Sequence, residues 1–259
     1  MTAVQTAIVT PKLLDSLRAQ PDLPDDVWYL VIATALCVLN RPEEIRTVYT
    51  HAVGAGHGNA GQQNGTVIPD DEEQLRIARR MREALLKTSA IAGLPKTINA
   101  LQELKKVVPT HLSDEPNSPS PTNRRQDVHD TPTAQVLGRG QSFFDACYGK
   151  VAGRVMTALD HSGTEDLGLA VRLTYGYILS TTAVLDEVET SYVMIAGLVP
   201  QDVNPQLKGH LKGALNGGAS VGQVRAVRQV AIHVCKAAGM RVLSEGGGGW
   251  GWRTEVQDL

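Results

Sequence analysis

The sequence predicts an all-α fold, on three observations. The core must be assembled from small aliphatic side chains, because 42 % of the 259 residues are hydrophobic yet only two Phe, three Trp and six Tyr occur. Helix-start punctuation recurs along the chain, with Pro at first-turn positions and acids or hydroxyls just ahead of apolar periods. Apolar residues repeat at three- and four-residue intervals, and no set of segments alternates as half-buried strands do.

Taken in order, Thr10-Pro11 opens a helix over 11–19 and the apolar run from Val27 to Leu39 fills one over 25–39. Arg41-Pro42 starts a third over 42–55, and Asp70-Asp71-Glu72-Glu73 supplies the negative first turn of a long helix over 70–92. Further helices are expected over 95–107, 141–161, 166–181 and 184–199. Asn204-Pro205 opens 205–216, and the capping box Ser220-Val-Gly-Gln223 opens 220–238, with Val224, Val227, Val230, Ala231 and Val234 on one stripe. The runs Val27–Leu39 and Tyr192–Val199 have no polar face, so periodicity cannot separate them from buried strands; their helical neighbours and Ala content favour helix.

Three segments break the pattern. Residues 56–69 form a Gly/Asn loop, and 109–135 hold five prolines among Ser, Thr, Asn and Asp, the composition of a flexible connector. Gly246–Gly249 reads as a flexible tract, although Trp250 and Trp252 are unusual in a solvated tail and are expected to dock on a neighbouring surface. Four regions follow: an N-terminal helical unit (1–108), a Pro/Ser-rich linker (109–139), a C-terminal helical unit (140–245) and a Gly-rich tail (246–259).

A net charge of −2 with no basic stripe excludes the electrostatic footprint of a nucleic-acid binder. Cys37, Cys147 and Cys235 are isolated, with no CxxC pair, and read as small buried hydrophobes rather than disulfide or zinc partners. No cofactor or metal is expected, since His57, His111, His129 and His161 have no ligand-like spacing to nearby acids. Gly54-Ala-Gly-His-Gly58 imitates a phosphate loop but neither follows a strand nor opens a helix at the required spacing. No apolar run reaches the ~18 residues of a membrane span. Residues 1–10 lack a secretory leader's basic and apolar regions, so a cytoplasmic address is expected, with mitochondrial or peroxisomal addresses left open.

The two helical units look related. Ser89–Leu101 and Ala231–Leu243 carry small and apolar residues in the same order, pairing Ile91 with His233, Gly93 with Cys235 and Leu101 with Leu243. Upstream, Thr50-His51-Ala52 pairs with Gly209-His210-Leu211, and the Gly/Asn loop accounts for the longer spacing in the first unit. A duplication of this kind implies pseudo-twofold packing of helices within one chain.

In the second unit, Thr190-Ser-Tyr-Val-Met-Ile-Ala-Gly-Leu198, Leu207-Lys-Gly-His-Leu-Lys-Gly-Ala-Leu-Asn-Gly-Gly218 and Ser220–Gly239 together resemble the carboxymuconolactone decarboxylase motif of the AhpD-like superfamily. Ala92-Gly-Leu-Pro-Lys-Thr-Ile-Asn-Ala-Leu101 is similar to that family's closing segment, and Asn40-Arg-Pro-Glu-Glu44 to fungal members. The resemblance implies an all-α AhpD-like bundle assembled as a dimer, trimer or hexamer. It places His210 at the family histidine. The positions of the peroxidase branch's thiol pair hold Val203 and Gln206, and its upstream acid falls on Ser191, close to Glu187 and Glu189, so a disulfide relay cannot operate there.

What remains is a cofactor-independent lyase, decarboxylase or isomerase acting on a small carboxylated or enolisable metabolite. His210 would be the proton donor, Glu189 and Ser191 its supporting groups, and Lys208, Lys212 and His51 the substrate-binding residues. The alternative is a non-catalytic oligomeric scaffold or binding protein on the same fold, with a thiol-dependent antioxidant a distant third. The bland readings are a solvated basic face for Lys208 and Lys212, an interface role for His210, and helix-start acids for Glu187 and Glu189.

Overall fold

The computed structural model describes residues 7–55, 70–114, 119, 121–244 and 248–259. The chain is all-α. The helices are α1 (Pro11–Arg18), α2 (Trp28–Val38), α3 (Ile45–Ala55), α4 (Asp71–Ala92), α5 (Leu94–Lys105), α6 (Arg124–His129), α7 (Thr133–Tyr148), α8 (Ala152–Asp160), α9 (Asp166–Thr174), α10 (Glu187–Leu198), α11 (Asn204–Asn216) and α12 (Val221–Ala237). A π turn over Tyr175–Leu179 continues α9, and two-residue strands β1 (Arg241–Val242) and β2 (Gly251–Trp252) pair in parallel near the C-terminus.

The two fully apolar runs are the centre of the molecule. Every residue of α2 is buried, as is α10 from Thr190 to Leu198. Helices without a polar face must be surrounded, and these are: α2 packs on α4, α10 and α12, while α10 packs on α2, α4, α11 and α12. One hydrophobic core therefore crosses the expected boundary between units, running from Leu14 and Leu36 through Met81 to Ile195, Val230 and Trp252. The paired positions of the apparent repeat also differ locally. Gly93 makes the α4–α5 corner with φ of 79°, whereas Cys235 lies inside α12, whose own corner glycine is Gly239.

Caps explain the starts. Thr10, Asp70, Asp186 and Ser220 each accept the third-residue N–H of the helix they precede, and Asp186–Glu189 and Ser220–Gln223 complete capping boxes.

The single helix expected over 141–161 is corrected to α7, starting at Thr133, and α8. The chain turns between them at Gly149, whose φ of 53° favours glycine. Gly138 and Gly140 weaken the local helix signal, but a Cβ at Gly140 would lie 2.5 Å from the Gly176 backbone nitrogen, so close packing requires glycine there. The flexible linker expected over 109–139 is corrected where it is described: it contains α6, the start of α7, buried Leu112 and buried Asp127. In the tail, the docking expected of the two tryptophans holds for Trp252, which is buried and donates from its indole N–H to the Val199 carbonyl at 2.6 Å, while Trp250 stays half exposed, so the flexible tail expected over 246–259 is corrected for residues 251–259. The Gly/Asn loop over 56–69, including His57 and most of the phosphate-loop look-alike, lies outside the described residues.

Candidate functional site

Helix α11 carries His210 on the side that meets α7. The two helices approach closely at small residues: a Cβ on Gly209 would lie 2.9 Å from the Tyr148 ring, and one on Gly213 would lie 3.3 Å from Cys147. Asn216 fixes the same contact by donating to the carbonyls of Ala146 and Cys147 at 3.2 and 3.1 Å, where α7 ends with unpaired acceptors. His210 is thereby enclosed, 5 % exposed, with its ring edge-on to Tyr148 at a centroid distance of 6.1 Å. Its Nδ1 has no hydrogen-bond partner among the described residues. Burial pushes the imidazole pKa down to about 4, so the ring is neutral at physiological pH.

Tyr148 stacks on Phe144 at 4.4 Å and interacts with the buried Tyr175 hydroxyl; burial raises the pKa of both phenols. On its outer side Tyr148 joins Lys150, Lys212 and Asn216 around an open groove of about 560 Å³. Tyr148 thus touches both the groove and the imidazole, and His210 itself does not line the groove.

The other expected site residues distribute unevenly. Lys212 lines the groove, and Lys208 is exposed without joining it. Ser191 is buried, donates to the Glu187 carbonyl at 3.1 Å and faces the Cys147 thiol. Glu189 closes its capping box and pairs with Arg80 at 2.5 Å, so its charge is already engaged. His51 pairs with Asp15 at 2.9 Å and meets Trp28 edge-on, on a different part of the molecule. His210 and Lys212 therefore share one neighbourhood, and His51 does not belong to it. The three cysteines are buried free thiols, and burial raises Cys37 and Cys147 to about 11 and Cys235 to about 12, the opposite of what a reactive thiolate needs.

An ionic cluster next to Tyr175, with Lys87, Glu83 and Asp127 buried and Arg139 at its exposed edge, escaped the sequence reading. The carbonyls at the end of the π turn are taken by three cations from three helices. Arg139 binds the Gly176 carbonyl at 3.2 Å, Arg124 those of Tyr177 and Ile178 at 3.1 and 2.9 Å, and Lys87 those of Leu179 and Thr181 at 3.0 and 2.8 Å. Lys87 also donates to the Thr190 hydroxyl at 2.6 Å. Glu83, paired fork to fork with Arg124, and Asp127, paired with Arg139, balance the charge. This is helix C-terminal capping by side chains, and it holds Tyr175 under Tyr148. In sequence, Glu83 and Lys87 have the four-residue spacing of an ordinary solvated pair, and Arg124 sits in apparent linker, so nothing marked them as buried.

These elements define a class: an all-α protein with one continuous core and a neutral, enclosed histidine at a helix–helix contact. Among the described residues no helix is long and apolar enough to cross a membrane, and no three His, Cys, Asp or Glu cluster to hold a metal. The chain is 37 % identical over 213 residues to Peroxisomal protein 2 of Schizosaccharomyces pombe, covering 82 % of this chain and 87 % of that one. It is 32 % identical over 267 aligned positions to Peroxisomal protein 2 of Saccharomyces cerevisiae, covering 88 % and 94 %. The chain belongs to the Peroxisomal protein 2 family. No protein-family model and no solved structure matches it.

Proposed function

We propose that this protein is an AhpD-like, cofactor-independent lyase-type enzyme of the peroxisome, acting on a small carboxylated or enolisable metabolite at the contact between α7 and α11. The observation that carries this reading is the His210 Nδ1, a buried polar atom without a partner beside a tyrosine that lines a lysine-bearing groove. A buried polar group without a partner calls for an explanation, and a ligand that supplies the partner is one. The relatives' names support the address.

The role expected for His210 changes with its pKa. A ring that is neutral above about pH 4 holds no imidazolium proton to give at pH 7. It can instead donate a neutral N–H hydrogen bond to a substrate carbonyl, stabilising negative charge that develops on that oxygen in a desolvated place. When the carbon–carboxylate bond breaks, carbon dioxide leaves and the electron pair of that bond moves onto the carbonyl oxygen as an enolate; water from the open groove then protonates the carbon, the carbonyl re-forms, and the hydroxide left behind passes to solvent, where it combines with the carbon dioxide as bicarbonate. Lys212 and Lys150 attract the carboxylate, and Tyr148 must swing aside for the substrate to reach the ring.

The test is calorimetric titration of the full chain with small keto and lactone carboxylates in buffers of different ionisation enthalpy, followed by assay of carbon dioxide release. Such an acid binds without net proton uptake near pH 7, because the ring stays neutral, and His210→Gln weakens binding and abolishes turnover. Carbon dioxide release that is indifferent to His210→Gln, or binding accompanied by uptake of a proton on His210, overturns the reading.

A second reading, a non-catalytic binding protein or homo-oligomeric scaffold on the same fold, is favoured by the engagement of Glu189 with Arg80 and of Ser191 with the Glu187 carbonyl, which leaves His210 without an orienting acid. Binding with no turnover selects it, and light scattering measures the assembly.

A further inference from the structure

Helix α4 presents Arg76, Arg79 and Arg80 on one side, at the three- and four-residue spacings that put them on neighbouring rows. Together with Leu75, Ala183 and Val184 they line a cavity of about 420 Å³ separate from the α7–α11 groove. The acids that hold these arginines stand outside the cavity wall. Glu73 takes Arg76 through a fork of 2.6 and 2.8 Å, and Asp26 takes its third nitrogen at 3.0 Å. Asp114 takes Arg79 at 2.6 Å, and Glu189, Tyr29 and the Asp26 carbonyl take Arg80. Glu72 is the one acid among the lining residues.

This arrangement fixes the guanidinium planes without exhausting them. Each guanidinium has five N–H donors, and among the described residues the Nη1 atoms of Arg79 and Arg80 donate no hydrogen bond. The cavity wall therefore offers pre-oriented cationic donors on one side and the aliphatic surface of Leu75, Ala183 and Val184 on the other. Fixed guanidinium edges match the two oxygens of a carboxylate, and the apolar wall has no use for a second polar end.

We propose that this cavity is a second ligand site and binds a small aliphatic carboxylate, head group on Arg79 and Arg80 and body against Ala183 and Val184. It is independent of the α7–α11 reading, because none of its lining residues belongs to that groove.

Octanoate, inorganic phosphate and octylammonium titrated calorimetrically into the full-length protein test it. Octanoate binds, more weakly as salt rises, while octylammonium does not. Arg79→Gln weakens octanoate about tenfold, the effect of one lost charge-assisted bond, and Asp114 keeps Arg82 as its partner at 2.8 Å in that variant. Ala183→Glu, at an exposed position of the lining, places a carboxylate in the cavity that competes for the arginines, and abolishes binding without lowering the unfolding temperature. Lys212→Ala leaves octanoate affinity as it was. The inference is overturned if octanoate does not bind, if phosphate or octylammonium binds as tightly, if Arg79→Gln and Ala183→Glu leave its affinity unaltered, or if Lys212→Ala removes it.

Discussion

At the residue scale, two buried titratable groups have consequences that pH can read. His210 accepts a proton near pH 4 in the folded chain and near 6.5 in the unfolded one. Between those values the unfolded chain binds more protons, so stability falls as pH drops from 6.5 toward 4, by roughly 3 kcal/mol for this group alone. His210→Phe keeps a buried ring and removes that part of the acid sensitivity, as urea denaturation at pH 7 and pH 4.5 checks. Lys87 shifts in the sense expected for a buried amine: burial lowers it from 10.5 to about 8, against the pull of Glu83. Unfolded Lys87 holds its proton up to a higher pH, so the wild type gains stability from pH 8 to 10.5. Lys87→Met costs about 3 kcal/mol or more at pH 8 by orphaning the Leu179 and Thr181 carbonyls and leaving Glu83 without a neighbouring amine, and loses that upward slope. His210 was legible as a candidate because the resemblance set it at a family histidine, and Lys212 because it is a cation two residues further along the same helix. The engagement of Glu189 by Arg80 was not, because the partners lie 109 residues apart and nothing local announces the pairing.

At the scale of elements, caps were the most readable feature, since a hydroxyl or carboxylate three residues before the backbone N–H it accepts is a local arrangement. Elements whose form depends on distant partners were not. Residues 124–148 look like linker followed by a glycine-weakened helix, yet Arg124 bonds to Glu83 across 41 residues and Gly140 lies against Gly176. Gly140→Ala forces those backbones apart, and we expect it to lower the unfolding temperature by several degrees although alanine is the better helix former. Calorimetry of the variant decides whether contact or propensity governs. The tail shows the same contrast. Trp252 docks under Val199, and Arg228 binds the carbonyls of Val256 and Gln257 at 2.5 and 2.7 Å. Trp252→Ala should cost about 3 kcal/mol and open residues 248–259 to limited proteolysis, seen as loss of a short C-terminal fragment by mass spectrometry.

At the scale of the whole molecule, the all-α class was legible from composition and periodicity, whereas the unity of the core was not. Helix α2 belongs to the first half of the chain and is enclosed by α10 and α12 of the second. A chain of residues 140–259 alone would expose the faces that α2 and α4 cover, and it should lack cooperative thermal unfolding and dispersed amide resonances. A sharp two-state melt of that fragment would restore the picture of separable units. The π turn at 175–179 bears on the same unity. A turn of this kind behaves as one residue inserted into a regular helix, and each helical residue advances the spiral by about 100°. Deleting a single residue there would rotate α9 and the α8 hairpin against α7 by that angle, carry the Tyr175 phenol off its neighbour, and leave Arg124 and Lys87 facing the wrong oxygens. The length of five residues is thus what keeps two parts of the molecule in phase.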